Sequence, residues 1–401
     1  MIAVILAQTI ALTGGTVYPV SGPKIEHATV LIRNGAIAAV GTTVAIPADA
    51  TRIDVSGKWV TPGLIDGLSN LGLAEIDAVP NTNENTTGKD VAAAFNVSEG
   101  INPASTLIPI NRVDGVTSAL ATPGGGLIGG QAVLIDLDGG TIEQMIDRSP
   151  AAMVMDLSEN AKSTGNGARA GVAARLRQVF TDALEYSRRR ADYSRAQMEA
   201  LAAPAADLEA LLPVLRGEEP VLVSANRKSD ILTALRIAKE FKLKLILAGA
   251  SEGWEVASEI AAAGVPVLVA PMDNLPSYDG LGTRFGNATL LARAGVKVAF
   301  YFSDSHNARD IRQQAGTAVS FGMTWDQALR AITLSPAEIF GVGDRYGSLD
   351  AGKVANIVVW SGDPFEFSTA VEHVYIRGRE IPLTSRQKEL LDRYRTVPPS
   401  Y

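Results

Sequence analysis

Short apolar runs alternate with helical patterns through the middle of this chain. Helical patterns of ten or more residues separate several of these runs, and buried strands joined by such crossovers form parallel sheets. Together with Trp59–Ile65 the runs number seven or eight, which predicts an α/β fold with a (β/α)8 TIM-type barrel. The other runs are Gly115–Ala121, Ala152–Leu157, Pro220–Val223, Leu243–Leu247, Pro266–Val269 and Val296–Phe302.

Both ends of the chain carry β-strand patterns. Asn34–Gly35 and Ser56–Gly57 each lie between two such runs and predict hairpins. We therefore expect a composite β-sandwich built from both ends: residues 1–60 and 346–401, the latter with a tail helix, around a barrel of residues 61–345. The runs are Ala28–Arg33, Ala36–Val40, Arg52–Val55, Lys58–Thr61, Ala355–Trp360 and Val371–Arg377.

One long region lacks both patterns. From Glu75 to about Asn111 the chain is polar and rich in Asn, Thr and Ser. A loop of this length is usually functional or flexible, and after the first barrel strand it would lie over the barrel mouth. It is either a lid or an excursion that packs against a neighbouring subunit.

Bulk properties limit the partners and leave the compartment open. A net charge of −7 disfavours nucleic acid and anionic membranes, and no stretch is long and apolar enough to span a bilayer. The absence of cysteine fits either redox environment. The apolar start, Met1–Ala7, could end a truncated signal peptide, which slightly favours a periplasmic or secreted protein, or it could begin a strand.

Four segments carry a family resemblance. Val60–Asp66, with Gly67–Leu68–Ser69–Asn70 after it, resembles the first barrel strand of the amidohydrolase superfamily, whose signature is PG-(Leu/Phe)-Ile-Asp-x-His-x-His. The other segments are Ser303–Arg309, Ala331–Gly341 and Gly347–Trp360. From about Thr9 to Ile381 the chain is similar to the imidazolonepropionase-related branch. This resemblance implies a hydrolase of amide, peptide or cyclic C–N bonds.

The resemblance also implies a metal held by four histidines and an aspartate, and most of these positions are replaced here. Leu68 and Asn70 stand at the first histidine pair, Ser224 at the fifth strand, and Ala248–Gly249 at the sixth. Only Asp304 matches, at the aspartate of the last strand. With 3 histidines and no cysteine in the chain, a zinc site of nitrogen and sulfur ligands is close to excluded. We expect no cofactor, although carboxylates could still hold a divalent ion weakly.

The energy that a metal supplies shows what these replacements cost. A metal lowers the pKa of bound water from about 15.7 to about 7, which is worth on the order of 12 kcal/mol. An aspartate acting alone as a general base contributes about 3–5 kcal/mol. Asp304, the one catalytic candidate, therefore cannot replace the ion.

The remaining polar residues at strand ends are candidates for substrate binding. Ser224, Asn226 and Arg227 end the fifth strand, and His306 follows Asp304. Arg227 could hold a ligand carboxylate by a two-pronged contact, and Asp304 could instead cap the next helix. Asp136 and Asp138 alternate on one strand face and are expected to be surface carboxylates.

Two functions stay open. The chain is either a C–N hydrolase with an eroded metal site and weak or no metal-dependent activity, or a non-catalytic descendant. A descendant could bind a small molecule or act as a structural subunit. We expect a homo-oligomer, or a hetero-oligomer with an intact, histidine-bearing relative.

Overall fold

A computed structural model describes residues 9–76, 78–195, 197, 199–273, 275–302 and 304–395. The predicted signal-peptide end or first strand edge at Met1–Ala7 lies outside these residues. None of the helices in the described ranges is long and apolar enough to cross a membrane.

The described strands form two sheets. The strands are β1 Thr9–Val17, β2 Ile25–Arg33, β3 Ala36–Gly41, β4 Thr51–Asp54, β5 Trp59–Pro62, β6 Leu64–Ser69, β7 Val116–Ala121, β8 Ile128–Asp136, β9 Ile146–Asp156, β10 Val221–Ala225, β11 Leu245–Gly249, β12 Val267–Val269, β13 Val298–Phe300, β14 Ile357–Trp360, β15 Val371–Ile376 and β16 Arg379–Ile381.

Helices connect most of the later strands. They are α1 Leu107–Arg112, α2 Ile142–Met145, α3 Arg169–Arg188, α4 Arg190–Ser194, α5 Ala205–Ala210, α6 Leu212–Leu215, α7 Lys228–Phe241, α8 Ala257–Ala262, α9 Asn287–Arg293, α10 Ile311–Ser320, α11 Trp325–Ala331, α12 Leu334–Ile339 and α13 Arg386–Tyr394. Short 3-10 helices lie at Pro80–Thr82, Val97–Gly100, Glu159–Gly165, Gly253–Val256 and Ser305–Asp310. The predicted tail helix is α13, and its N-terminal cap is Ser385, whose hydroxyl accepts from the Lys388 N–H.

The second sheet is a nearly closed barrel. Within the described residues its eight strands run in the order β13-β12-β11-β10-β9-β8-β7-β6. The two end strands, β6 and β13, come together at a seam. There the Phe302 N–H donates to Asp66 Oδ1 at 3.0 Å, and the Asn70 N–H donates to Ser305 Oγ at 2.9 Å. Buried polar contacts thus close the barrel where the strands do not pair.

One barrel strand, β8, runs in the opposite direction to the strands of a regular (β/α)8 barrel. β8 is antiparallel to both β7 and β9, so the prediction of parallel strands throughout is wrong at this position. Only residues 122–127 separate β7 from β8, and they include Gly124, Gly125 and Gly126. A parallel connection needs a dozen or more residues, so this short link can only reverse the chain.

The first sheet draws strands from both ends of the chain, as predicted. Its order is β16-β15-β14-β5-β1-β2-β3, and β4 also pairs with β1. The hairpin at Asn34–Gly35 is confirmed, with both residues at positive φ. That this sheet folds into a two-layered sandwich stays a prediction.

The predicted hairpin around Ser56–Gly57 is wrong. A turn does form, with the Lys58 N–H donating to the Val55 oxygen, but β4 and β5 both lie parallel to β1. Val55 and Val60 are both buried in the core beside β1. Their burial keeps β4 and β5 paired with β1 and not with each other. The hydrophobic core therefore overrides the local turn signal.

Hydrogen bonds made by its own polar groups hold the long polar region between Glu75 and Asn111 in place. The Glu75 carboxylate accepts from the Asn102 side chain and from Thr106, each at 3.2 Å. The Ala94 N–H donates to Asp207 at 2.9 Å, which fixes the middle of the region to α5. Both predicted roles, lid and subunit contact, stay predictions.

Candidate functional site

The barrel interior is filled by side chains from alternate strand positions. Ala152 on β9, Leu222 on β10 and Ile246 on β11 belong to one buried apolar cluster, and Val154 packs against it. Because side chains on a strand point to opposite faces in turn, the positions two residues further on also face inward. At the carboxyl ends of the strands these inward positions form the floor of the barrel mouth.

Five of the side chains at this floor form a set that we refer to as the mouth ring. Leu68 and Tyr301 pack directly on the interior cluster, and Ala248 is part of it. The other two positions are polar. The ring consists of Leu68, Asp156, Ser224, Ala248 and Tyr301.

The two polar members of the ring are neighbours. Ser224 on β10 is paired in register with Asp156 on β9. Burial raises the pKa of the Asp156 carboxyl, the Ser158 N–H bound to it at 2.7 Å opposes that rise, and the nearby Asp279 adds to it. The sequence analysis missed Asp156, although the alternation of Ala152, Val154 and Asp156 could have revealed it.

Asn226 and Arg227 lie at the mouth as predicted, but their side chains contact a loop of the protein itself. Asn226 Nδ2 donates to Asp279 Oδ2 at 2.9 Å, and Ser251 Oγ donates to Asn226 Oδ1 at 3.1 Å. The Arg227 guanidinium lies over the Tyr278 ring, 5.7 Å from its centre. Their predicted role in binding substrate stays a prediction.

Asp304 caps the 3-10 helix Ser305–Asp310. Its Oδ1 accepts from the His306 N–H at 2.9 Å, and its Oδ2 accepts from Asn307 Nδ2 at 2.8 Å. The His306 side chain is exposed. Both oxygens of the predicted catalytic carboxylate are thus engaged in a cap, as the structural alternative required, and roles for both residues in binding or catalysis stay predictions.

A solved amidohydrolase from Thermotoga maritima MSB8 has this same architecture. It is 30% identical to this chain with a TM-score of 0.85, and the match covers 94% of this chain and 100% of that one. The chain belongs to the amidohydrolase family. The model described as "Amidohydrolase family" also matches, over residues 280–381.

Curated relatives of this amidohydrolase-family chain are more distant. Imidazolonepropionase of Pseudomonas putida is 26% identical over 379 residues, covering 84% of this chain and 88% of the relative. Amidohydrolase tasK of Hapsidospora irregularis is 26% identical over 386 residues, covering 87% of this chain. The match spans only 39% of the length of tasK, so that protein is more than twice as long as the matched part.

The metal that the family resemblance implies does not fit the side chains of this mouth. Leu68 and Ala248 supply no donor, and Asp304 is engaged in its cap. Among the described residues, no three His, Cys, Asp or Glu side chains lie close enough together to hold an ion. Zinc takes at least three protein ligands in catalytic sites, and calcium takes six or more oxygens. We therefore assign no reaction step to a metal.

Asp66 lies at the seam below the mouth and is fully buried. Its Oδ1 accepts from the N–H groups of Phe302 and Leu68 at 3.0 and 3.4 Å, whereas Oδ2 has no hydrogen-bond partner among the described residues. Burial raises the pKa of this carboxyl to about 8, against the smaller opposing effect of the two N–H groups. Asp66 is therefore mostly protonated at neutral pH and acts as a seam contact.

One cavity at the mouth is small. This cavity of about 30 Å³ lies between Ser251, Asp273, Arg284 and Tyr301. That is room for about two waters. Burial raises the pKa of the Asp273 carboxyl on its wall. In this conformation the cavity cannot hold a ligand of metabolite size.

Asp136 and Asp138 are not surface carboxylates, so that prediction was wrong. Both side chains are 1% exposed, and they pair with Arg377 and Arg379 at 2.6 Å. Because β8 runs antiparallel, its carboxyl end lies at the bottom of the barrel, against the first sheet. Asp136 therefore joins the barrel to that sheet and is remote from the mouth.

Replacing Asp304 by alanine should lower the free energy of unfolding by about 0.5–2 kcal/mol, because the N–H of His306 loses its cap. Asparagine caps as well as aspartate does, so Asp304→Asn should stay within a few tenths of the wild type. Urea denaturation of both variants measures the difference. Equal losses would mean that the carboxylate charge, and not the cap, is what matters.

Proposed function

We propose that this chain is an eroded amidohydrolase, which binds a small polar molecule at its barrel mouth and has weak or no metal-dependent hydrolysis. The observation that carries the proposal is the mouth ring. Leu68 and Ala248 pack into the apolar interior at positions where the family resemblance implies metal ligands. A histidine there would have to displace a side chain that now completes the core.

Polar groups remain that could orient a ligand. Asp156 and Ser224 face the mouth side by side, and Asn226 follows directly on β10. A carboxyl, a hydroxyl and an amide supply both hydrogen-bond donors and acceptors above an apolar floor. Such a combination of apolar walls with a few convergent polar groups is typical of small-molecule sites.

The second candidate is a C–N hydrolase that works through an ion held weakly by carboxylates. Asp156 ends β9 and Asp304 lies shortly after β13, and the imidazolonepropionase of Pseudomonas putida is similar over most of its length. The third candidate is a structural subunit, which follows from the expectation of an intact relative as partner. In that case the chain would assemble with that histidine-bearing relative.

Metal content and hydrolysis separate these candidates. The purified chain should carry far less than one equivalent of zinc, iron, nickel or manganese, because its mouth lacks the donors that these ions need. It should hydrolyse N-acyl amino acids and dipeptides weakly or not at all, with or without added Zn²⁺ or Mn²⁺. Mass spectrometry that finds about one tightly held ion per chain would favour the second candidate.

Binding should depend on the polar part of the ring. A ligand found by thermal shift in a panel of small amides and dipeptides should bind about 2- to 12-fold more weakly to Ser224→Ala, through the loss of one hydrogen bond. Ser320→Ala, at an exposed site on α10, serves as the control. If no ligand binds and the chain elutes as a complex with a histidine-bearing relative, the structural-subunit role is favoured instead.

A further inference from the structure

Residues 275–286 follow β12 and fold back over the carboxyl ends of β11 and β10. Trp254 Nε1 donates to the Gly282 oxygen at 2.8 Å, and the Gly282 N–H donates to Glu252 at 3.0 Å, both just beyond β11. Asp279 reaches Asn226, which directly follows β10. The segment therefore covers the mouth on the side where Ser224 faces inward.

The outer surface of this segment is strongly apolar. Leu275 is 90% exposed, Tyr278 is 71% exposed and Leu281 is 68% exposed. A segment that leaves these large apolar side chains in water gains little from burying them, so its polar contacts, beside the stacking of Phe285 on Phe321, hold it in place. Few buried apolar contacts are also typical of segments that open locally.

One ion pair among these polar contacts centres on the Asp279 carboxylate. Asp279 Oδ1 pairs with the Arg169 guanidinium at 2.7 Å, and Asp279 Oδ2 accepts from Asn226 at 2.9 Å. Both oxygens are thus held, one by a cation and one by an amide. The side chains of Arg169 and Asp279 are only 20% and 16% exposed, which protects the pair from water.

The two groups that hold Asp279 are themselves fixed by other residues. Arg169 also pairs with Glu159 at 2.6 Å and with Asp230 on α7. Ser251 donates to the oxygen of the Asn226 amide, which leaves its NH2 free to point at Asp279. A Cβ on Gly249, which has φ +81°, would lie 2.2 Å from that amide oxygen, so glycine is required there. The seat therefore does not depend on Asp279 for its shape.

We propose that residues 275–286 are a lid latched by the Asp279 carboxylate, and that Arg169 and Asn226 form a seat for the carboxylate of a small-molecule ligand. Asp279 occupies this seat in the closed state. A ligand carboxylate displaces Asp279 and makes the same contacts with the Arg169 guanidinium and the Asn226 amide, and the lid is released. The ligand class rests on the proposed binding function, whereas the latch does not.

Hydrogen exchange tests the latch without any ligand. In Asp279→Ala, peptides from residues 275–286 should exchange about tenfold faster or more, while peptides from β10 and β11 stay unchanged. Asp273→Ala is the matched control, because it removes a nearby carboxylate that makes no ion pair with a described residue. Chymotrypsin should also cut after Phe285 faster in Asp279→Ala only. Equal exchange in all three proteins would overturn the latch.

A pair of matched probes tests the seat. N-acetylglycine should raise the melting temperature of both proteins. Asp279→Ala should need an about tenfold lower concentration than the wild type for the same rise, because its seat is vacant. N-acetylglycinamide, which lacks the carboxylate, should raise neither. Equal effects of the two probes would overturn the carboxylate seat, as would no effect of either on a variant whose lid exchanges rapidly.

These outcomes keep the inference separate from the proposed function. If the lid exchanges equally fast in every variant but the wild type still binds a ligand that needs Ser224, the latch fails and the proposed function stands. If Asp279→Ala opens the lid and binds N-acetylglycine, the inference holds whether or not the chain hydrolyses anything.

Discussion

Replacing Arg377 by methionine should destabilise the fold by about 3 kcal/mol, near the lower end of the range for breaking a buried ion pair. The Asp136 carboxylate is 1% exposed and accepts from Ser118, Asn356, Tyr346 and Arg377 at 2.6–2.9 Å. Without the guanidinium this buried carboxylate has neutral partners only, so it must either keep an uncompensated charge or take up a proton, and both cost free energy. The lower end applies because the Arg377 side chain is 33% exposed and water can partly replace it.

Urea denaturation measures this loss, and a second substitution checks its cause. Adding Asp136→Asn to Arg377→Met removes the stranded charge, so the double variant should be more stable than Arg377→Met alone. Lys24→Met, which breaks an exposed pair with Glu26, should change little. A double variant no more stable than Arg377→Met would mean that lost packing, and not the buried charge, causes the effect.

Replacing Asp66 by asparagine should remove a large pH dependence of stability. The pKa of Asp66 is about 8 in the fold and near 3.8 in the unfolded chain, so only the folded protein keeps this proton between those pH values. The stabilisation of the fold by this bound proton is complete below pH 4 and is lost as the pH rises towards 8. By pH 7 the loss is on the order of 4 kcal/mol. An asparagine mimics the protonated acid and has no charge to lose.

The free energy of unfolding of both proteins at pH 4.5, 6 and 7.5 tests this. The variant should gain stability relative to the wild type at each step towards higher pH. Asp49→Asn, at an exposed position, should keep a constant difference from the wild type. A constant difference for Asp66→Asn would mean that the carboxyl is already ionised, with water reaching Oδ2.

Local sequence predicted those parts of the mouth that depend on strand ends. The apolar run before Ser224 located β10, and Asn226 and Arg227 come directly after that strand. Their contacts could not be predicted in the same way, because Asp279 and Tyr278 lie about fifty residues further on. Asp156 was missed because the apolar residues of the strand that ends there drew the prediction, and its one inward-facing polar side chain was not considered.

The bottom of the barrel shows a different limit. Asp136 and Asp138 at alternate positions resemble the solvent face of an antiparallel strand, which is where such residues normally lie. Their burial depends on cations 241 residues away in the chain. No window of local sequence contains both partners. The direction of β8 is a different case, because the short local link of residues 122–127 determines it more firmly than any strand pattern.

The shared sheet has a consequence for how the chain is made. β5 lies between β1 and β14, with Trp360 Nε1 bonded to Thr61 Oγ1 at 2.8 Å, yet β14 follows β5 by about 300 residues. At a synthesis rate of about 5–20 residues per second, the edge of β5 stays without its partner for about 15–60 s. An uncovered strand edge invites pairing with another chain. The yield of folded protein should therefore depend on how well nascent chains are kept apart until residue 357 has emerged from the ribosome.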